Sequence, residues 1–125
     1  MIAALSGWHE RHGASAEALA GVTALPAHVM LEAFSVLTRL PGGLAVEPKV
    51  ATDLLLRRFA APPLLLDVDA RAELLERLAD AGVVGGASYD GLVALEAAAH
   101  GETLITLDER AQPTYRRLGA AYCSV

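Results

Sequence analysis

The spacing of apolar and polar positions divides the chain into short helices and shorter strands. Ile2, Leu5 and Trp8 give one face of a helix over Ile2–His12, stopped by Gly13, and Ser15 caps a second short helix, Ala16–Ala20, that Gly21 ends. Val22–Leu25 reads as a short strand before Pro26. A long helix follows from Ala27, with Val29, Met30, Ala33, Phe34, Leu37 and Leu40 wrapping most of its surface, up to Pro41-Gly42-Gly43. Pro48 suits the first turn of the next helix, which runs to Phe59 with Arg57 and Arg58 at the end where cations complement the dipole. After Pro62-Pro63, the run Leu64–Leu66 predicts a strand buried on both faces. Asp67 or Asp69 then caps a helix over Ala70–Ala81, whose Leu74, Leu75 and Leu78 face inward while Arg71, Glu73, Glu76, Arg77 and Asp80 are solvated. Gly82 closes it, and residues 83–87 form a loop.

Ser88 is the expected N-cap of a strongly apolar helix with Asp90 in its first turn and a stop at His100-Gly101. Thr103–Leu107 predicts a buried strand with Asp108 at its carboxyl end, then a short helical piece broken near Pro113 and a last strand over Ala120–Val125. Short apolar strands separated by helices define an α/β sandwich with a mainly parallel central sheet, as a single domain over residues 1–125.

Composition narrows the function. With 125 residues and 54% hydrophobic content the chain has material for a core. No apolar run reaches membrane-spanning length, and the N-terminus lacks the basic flank of a secretory signal, so the cytoplasm is the expected compartment. The single cysteine, Cys123, permits no intrachain disulfide and is expected to be a buried or half-buried filler. The net charge of −5 argues against nucleic-acid binding by bulk electrostatics, though not against an enzyme with a local cluster drawn from Arg39, Arg57, Arg58, Arg110, Arg116 and Arg117.

Three acids stand out. Glu32 lies in an almost wholly apolar helix, where a carboxylate is costly unless paired or metal-bound; alternatively it occupies the one wet strip, with His28 and Ser35. Asp90 alone can be a dipole partner, and Asp108 alone an N-cap. Together they are placed where one crevice of a sheet is reachable, and like charges in one crevice call for a hard divalent cation. Metal-assisted hydrolysis of a phosphodiester fits such a set, with Ser88 and Thr106 as hydrogen-bonding support and Arg39 and Arg110 as candidates for contact with the substrate.

Other patterns are weak. His9-Glu10-Arg11-His12 spaces its histidines three apart where a zinc protease needs four, and Gly82–Gly86 lacks the lysine of a phosphate loop and reads as a flexible loop. Trp8 and the tyrosines are too scattered along the chain for a base-stacking platform. His100 is expected to complement a helix C-terminus.

The segments PAHVMLEAFSVLTRLP and SYDGLVALEAAAHGETLITLDER resemble the PIN-domain ribonucleases, specifically the VapC toxins of bacterial VapBC toxin–antitoxin pairs, over essentially the whole chain. The resemblance implies a PIN-like α/β/α sandwich, with Glu32, Asp90 and Asp108 matching the family's metal-binding acids. It further implies an endoribonuclease toxin dependent on Mg²⁺ or Mn²⁺, acting on RNA of the tRNA or rRNA class. Such a toxin dimerises and is neutralised by a VapB-type antitoxin whose C-terminal segment occupies the active-site groove. The alternative is a catalytically inactive PIN-like module that binds an antitoxin or partner protomer. The family opens with an apolar strand ending in Asp, and Met1–Leu5 resembles the tail of that segment, so this Asp is expected a few residues before Met1. By that expectation the chain lacks one acidic ligand and one central strand, through a late-assigned start or natural shortening, and is exposed to loss of activity and stability.

Overall fold

The computed structural model describes residue 17 and residues 19–125. The expected helix over Ile2–His12, Ala16 and Ala18 of the one over Ala16–Ala20, and the His9–His12 motif lie outside them. The described elements run α1 (Ala27–Thr38), α2 (Pro48–Arg58), α3 (Val68–Ala72), α4 (Leu74–Asp80), α5 (Ala87–Ala99), β1 (Leu104–Thr106), α6 (Gln112–Arg117) and β2 (Tyr122–Ser124).

The strands are parallel. β1 pairs with β2 in the register Leu104–Tyr122, Ile105–Cys123 and Thr106–Ser124, and a parallel bridge joins Pro26 to Leu64. Around that bridge the Leu64 amide donates to the Leu25 carbonyl and the Ala27 amide to the Leu64 carbonyl, each at 2.9 Å. The Val22–Leu25 and Leu64–Leu66 segments are therefore paired at one point instead of along a ladder. Leu64 and Leu66 are half-buried and Leu65 is 59% exposed, which corrects the expectation of burial on both faces. Cys123 is likewise exposed instead of buried. The cause is the same in both places: among the described residues each segment pairs with one neighbour, and part of its surface is left to solvent.

Helix ends follow local chemistry. Pro48 sits in the first turn of α2, where its missing N–H costs nothing, and Arg58 at the other end donates to the Val22 carbonyl at 2.8 Å and to the Leu19 carbonyl. Asp67, not Asp69, caps α3, accepting from the Ala70 amide at 2.7 Å. The single helix expected over Ala70–Ala81 is two, parted at Glu73. Leu74 and Leu78, one turn apart, are buried, whereas Leu75 is 76% exposed because it points about 100° away from Leu74 around the helix. Pro113 opens α6 instead of breaking it. Gly82 and Gly101 end α4 and α5 with φ of +69° and +65°, the left-handed turn that L side chains resist.

α5 is the organising helix. Val93, Ala94 and Ala97 join Leu25, Val29 and Ala33 in the main core, while Leu95 joins Leu74, Leu78 and Val83 in a second cluster. Gly91 lets α4 approach: a Cβ there would fall 2.4 Å from Leu78 Cδ2 and 3.3 Å from Leu118 Cδ1. Gly91→Leu is therefore expected to lower the melting temperature by several degrees, an overpacking cost of about 1–3 kcal/mol. An unchanged melt would show that the α4–α5 contact is slack.

Candidate active site

α5 runs away from the site end of the molecule, turns at Gly101, and β1 returns, so the start of α5 and the end of β1 lie at the same end of the sheet. Asp90, in the first turn of α5, and Asp108, two residues past β1, are half-buried there. Glu32 reaches the same place from α1, which packs along α5. Burial raises the Asp90 carboxyl above its ordinary value of 3.8, the charges of Asp108 and then Glu32 push it further, and Arg110 and His28 oppose them. The charges of the other two acids selected from the sequence thus reach Asp90.

Each acid is also held by local hydrogen bonds. Asp108 Oδ1 accepts from the Arg110 amide at 2.9 Å and from Arg110 Nε at 3.4 Å, closing a turn before α6. Its backbone amide donates to Thr106 Oγ1 at 3.0 Å. Glu32 Oε1 accepts from His28 Nε2 at 2.8 Å, one helical turn earlier. Glu32 thus belongs both to the strip shared with His28 and to the acid cluster; the two readings of this residue are compatible. Ser88 stands in the first turn of α5 but is not its cap, because the helix begins at Ala87 with Gly86 before it. Arg110 reaches the acids with a side chain 94% exposed, whereas Arg39 caps the far end of α1, about 10 Å along the axis from Glu32.

Sequence reasoning passed over Tyr115, Glu96 and Tyr89, and placed His28 only on the wet strip beside Glu32. Tyr115 is buried beneath the acids, and its phenol is pushed up to about 12 by burial and by the charge of Asp90, against a hydrogen bond with Thr106. Glu96 is 4% exposed, and its Oε2 accepts the His28 backbone N–H at 3.2 Å, serving the start of α1, whose preceding residue, Pro26, offers no side-chain cap. His28 stacks on Tyr89. The signal for Glu96 was its place in an alanine-rich helix face; nothing local marked the other two. His100, expected as a dipole partner, in addition donates from Nε2 to the Leu65 carbonyl at 2.8 Å.

Glu96 makes stability depend on pH. Burial raises its pKa above the ordinary 4.5, outweighing the His28 amide and the positive charges of His28, Arg71 and His100. Between the ordinary and the raised value the folded chain holds a proton that the unfolded chain has released, so stability from this group falls as pH rises through that window. Glu96→Gln keeps an acceptor for the His28 amide without the charge. It is expected to melt higher than the parent at pH 7, with the gap closing below about pH 4.5. A variant less stable at pH 7 than at pH 4, relative to the parent, would show that the ionised cap is favourable.

Among the described residues no group of three or more His, Cys, Asp or Glu side chains converges tightly enough to enclose a metal ion. The donor chemistry nonetheless fits a hard divalent cation, since Mg²⁺ is commonly held by one or two carboxylates with water completing its shell. No described helix is long and apolar enough to cross a membrane.

A parallel sheet backed by helices, with acids at the carboxyl end of β1, is consistent with one domain class, and the PIN-domain model matches residues 1–117. The chain belongs to the PIN-domain family. It is similar to Ribonuclease VapC27 of Mycobacterium tuberculosis (strain ATCC 25618 / H37Rv), at 49% identity over 96 residues, covering 77% of this chain and 69% of that protein. It is also similar to Ribonuclease VapC40 of the same species, at 40% identity over 118 residues, covering 94% of this chain and 88% of that one. The likeness to VapC ribonucleases read from SYDGLVALEAAAHGETLITLDER is borne out, as is the α/β fold with a parallel sheet. No solved structure gives a significant match.

Proposed function

We propose that this chain is an endoribonuclease toxin that hydrolyses RNA phosphodiester bonds with Mg²⁺ or Mn²⁺ held by Glu32, Asp90 and Asp108. The observation that carries the reading is the convergence of the half-buried Asp90 and Asp108 at one end of the sheet with Glu32: burial first, and then the charges of Asp108 and Glu32, raise the pKa of Asp90, a cost that a bound cation relieves. When bound, the ion supplies Lewis-acid activation of water and neutralises charge building on the phosphate. The chain's own residues do the rest. His28 orients the Glu32 carboxylate, Thr106 fixes the backbone of Asp108, and Tyr115 closes the floor against water. Arg110, extended beside Asp108, is placed to meet a phosphate, and Ser88 stands beside Asp90 as further hydrogen-bonding support. Arg39 lies farther along α1, where it would meet the RNA away from the scissile bond.

Support for a protein partner comes from apolar surface left uncovered. A cleft of about 280 Å³ between α1 and α2 is lined by Met30, Leu31, Phe34, Leu55 and Leu56, and Leu31 and Leu56 are 64% and 58% exposed. Such surface suits a VapB-type antitoxin or a second copy of the chain. The acid cluster, the homodimer and action in the cytoplasm follow from the same reading. A second reading, an inactive PIN-like module that only binds such a partner, is favoured by the lack of a tight three-ligand cluster among the described residues.

The test is incubation of the purified chain with total bacterial RNA. Cleavage in Mn²⁺ or Mg²⁺ that stops with excess EDTA and returns on adding the ion back is expected. Cleavage indifferent to EDTA would overturn the metal role, and antitoxin binding without any cleavage would move the assignment to the second reading.

A further inference from the structure

The fold brings together two aromatic rings that lie 61 positions apart in the sequence. His28 and Tyr89 stack with ring centroids 5.3 Å apart and planes within 10° of parallel. Their neighbours are the acids: Tyr89 directly precedes Asp90, and His28 lies one turn before Glu32, to which it is hydrogen-bonded. His28 is fixed from three directions. Its backbone N–H goes to Glu96, its Nε2–H to Glu32, and its face to Tyr89, leaving the side chain 16% exposed. Tyr89 is the reverse: one face rests on His28, yet the residue is 59% exposed. A large aromatic side chain with one face packed on an immobilised ring and the remainder open to solvent is a stacking surface in search of a flat partner.

We infer that Tyr89, backed by His28, is a ledge on which one nucleobase of the RNA stacks beside the scissile phosphate. The inference rests on the ribonuclease reading above. A base needs a π-face and no particular hydrogen-bonding edge, so this contact fits a single-stranded or unpaired nucleotide and tolerates several base identities. The phosphate of the same nucleotide can then reach Arg110, the exposed cation that acts on Asp90. The ledge positions substrate; it takes no part in proton transfer. The scatter of tyrosines along the chain pointed away from a stacking platform, and the fold revises that at this one place by pairing a tyrosine with a histidine.

The test uses the full chain in two settings. In the Asp90→Asn background, which retains substrate, 2-aminopurine is placed at successive positions of a single-stranded RNA of about 12 nucleotides. Its fluorescence is expected to be quenched at one position, with Tyr89→Leu abolishing the quench and weakening binding about tenfold, and Tyr89→Trp keeping both. In the otherwise native chain, Tyr89→Leu is expected to raise KM with little change in kcat, and an abasic nucleotide at the stacked position to erase the difference from the parent. Quenching and KM unchanged in Tyr89→Leu, while the parent cuts RNA, would overturn the ledge and leave the ribonuclease reading intact. A native chain that neither binds nor cuts RNA would remove both.

Discussion

Asp90→Asn is expected to reduce RNA cleavage at least about a hundredfold while raising the melting temperature of the metal-free chain at pH 7. Both effects have one cause. Asp90 is half-buried among Asp108 and Glu32, and the folded chain resists its ionisation. A group whose pKa is raised on folding contributes stability below its ordinary value of 3.8 and loses it as pH rises through the raised value, so at pH 7 the charge is a standing cost. Asparagine has the same shape without the charge. It removes the repulsion and, with it, the best oxygen donor for a cation. Cleavage assays and thermal melts on the two chains check the pair of outcomes. A mutant that is less active and also less stable would mean that Asp90 serves the fold more than the site.

Thr106→Val is expected to have the largest effect among changes that remove no acid. Thr106 is 2% exposed, and its hydroxyl accepts the Asp108 amide and bonds Tyr115. Valine fills the same space but leaves both partners unsatisfied in a buried place, at about 1–3 kcal/mol for each orphaned group. It also frees the backbone that sets the direction of Asp108. The melting temperature should fall by several degrees and cleavage should drop about tenfold or more. Thr106→Ser restores the hydroxyl and should recover most of both, losing only the methyl packing. A valine variant with native stability would show that the Asp108 amide and the Tyr115 phenol find other partners.

Local signals in the sequence account for most of the elements. Pro48, Asp67, Gly82 and Gly101 each determine a helix end through their own backbone or side-chain chemistry, and each does so in the structure. The errors occur where tertiary surroundings decide. Leu65, Leu75 and Cys123 carry apolar side chains that pattern alone assigns to a core, yet each lies at an edge with no described layer above it. Ser88 has the right chemistry for a cap, but the cap position falls two residues earlier, at Gly86, and Ala87 is already helical. At the candidate site, Glu32, Asp90 and Asp108 stood out because carboxylates are conspicuous among apolar neighbours. Tyr89, Glu96 and Tyr115 did not, and of His28 only its place beside Glu32 did, since the other roles arise from contacts that chain order hides, spanning up to 68 positions. Met1–Leu5, which resembles the tail of the family's first strand, lies outside the described residues.

The claim on which the account turns is that the three acids hold a divalent cation, and calorimetric titration of Mn²⁺ into the chain and into Asp90→Asn tests it most directly. Saturable binding by the chain, lost or weakened at least about tenfold in Asp90→Asn, is the predicted result. Equal binding by both, or no binding by either, would contradict it and leave the partner-binding module as the better description of this PIN domain.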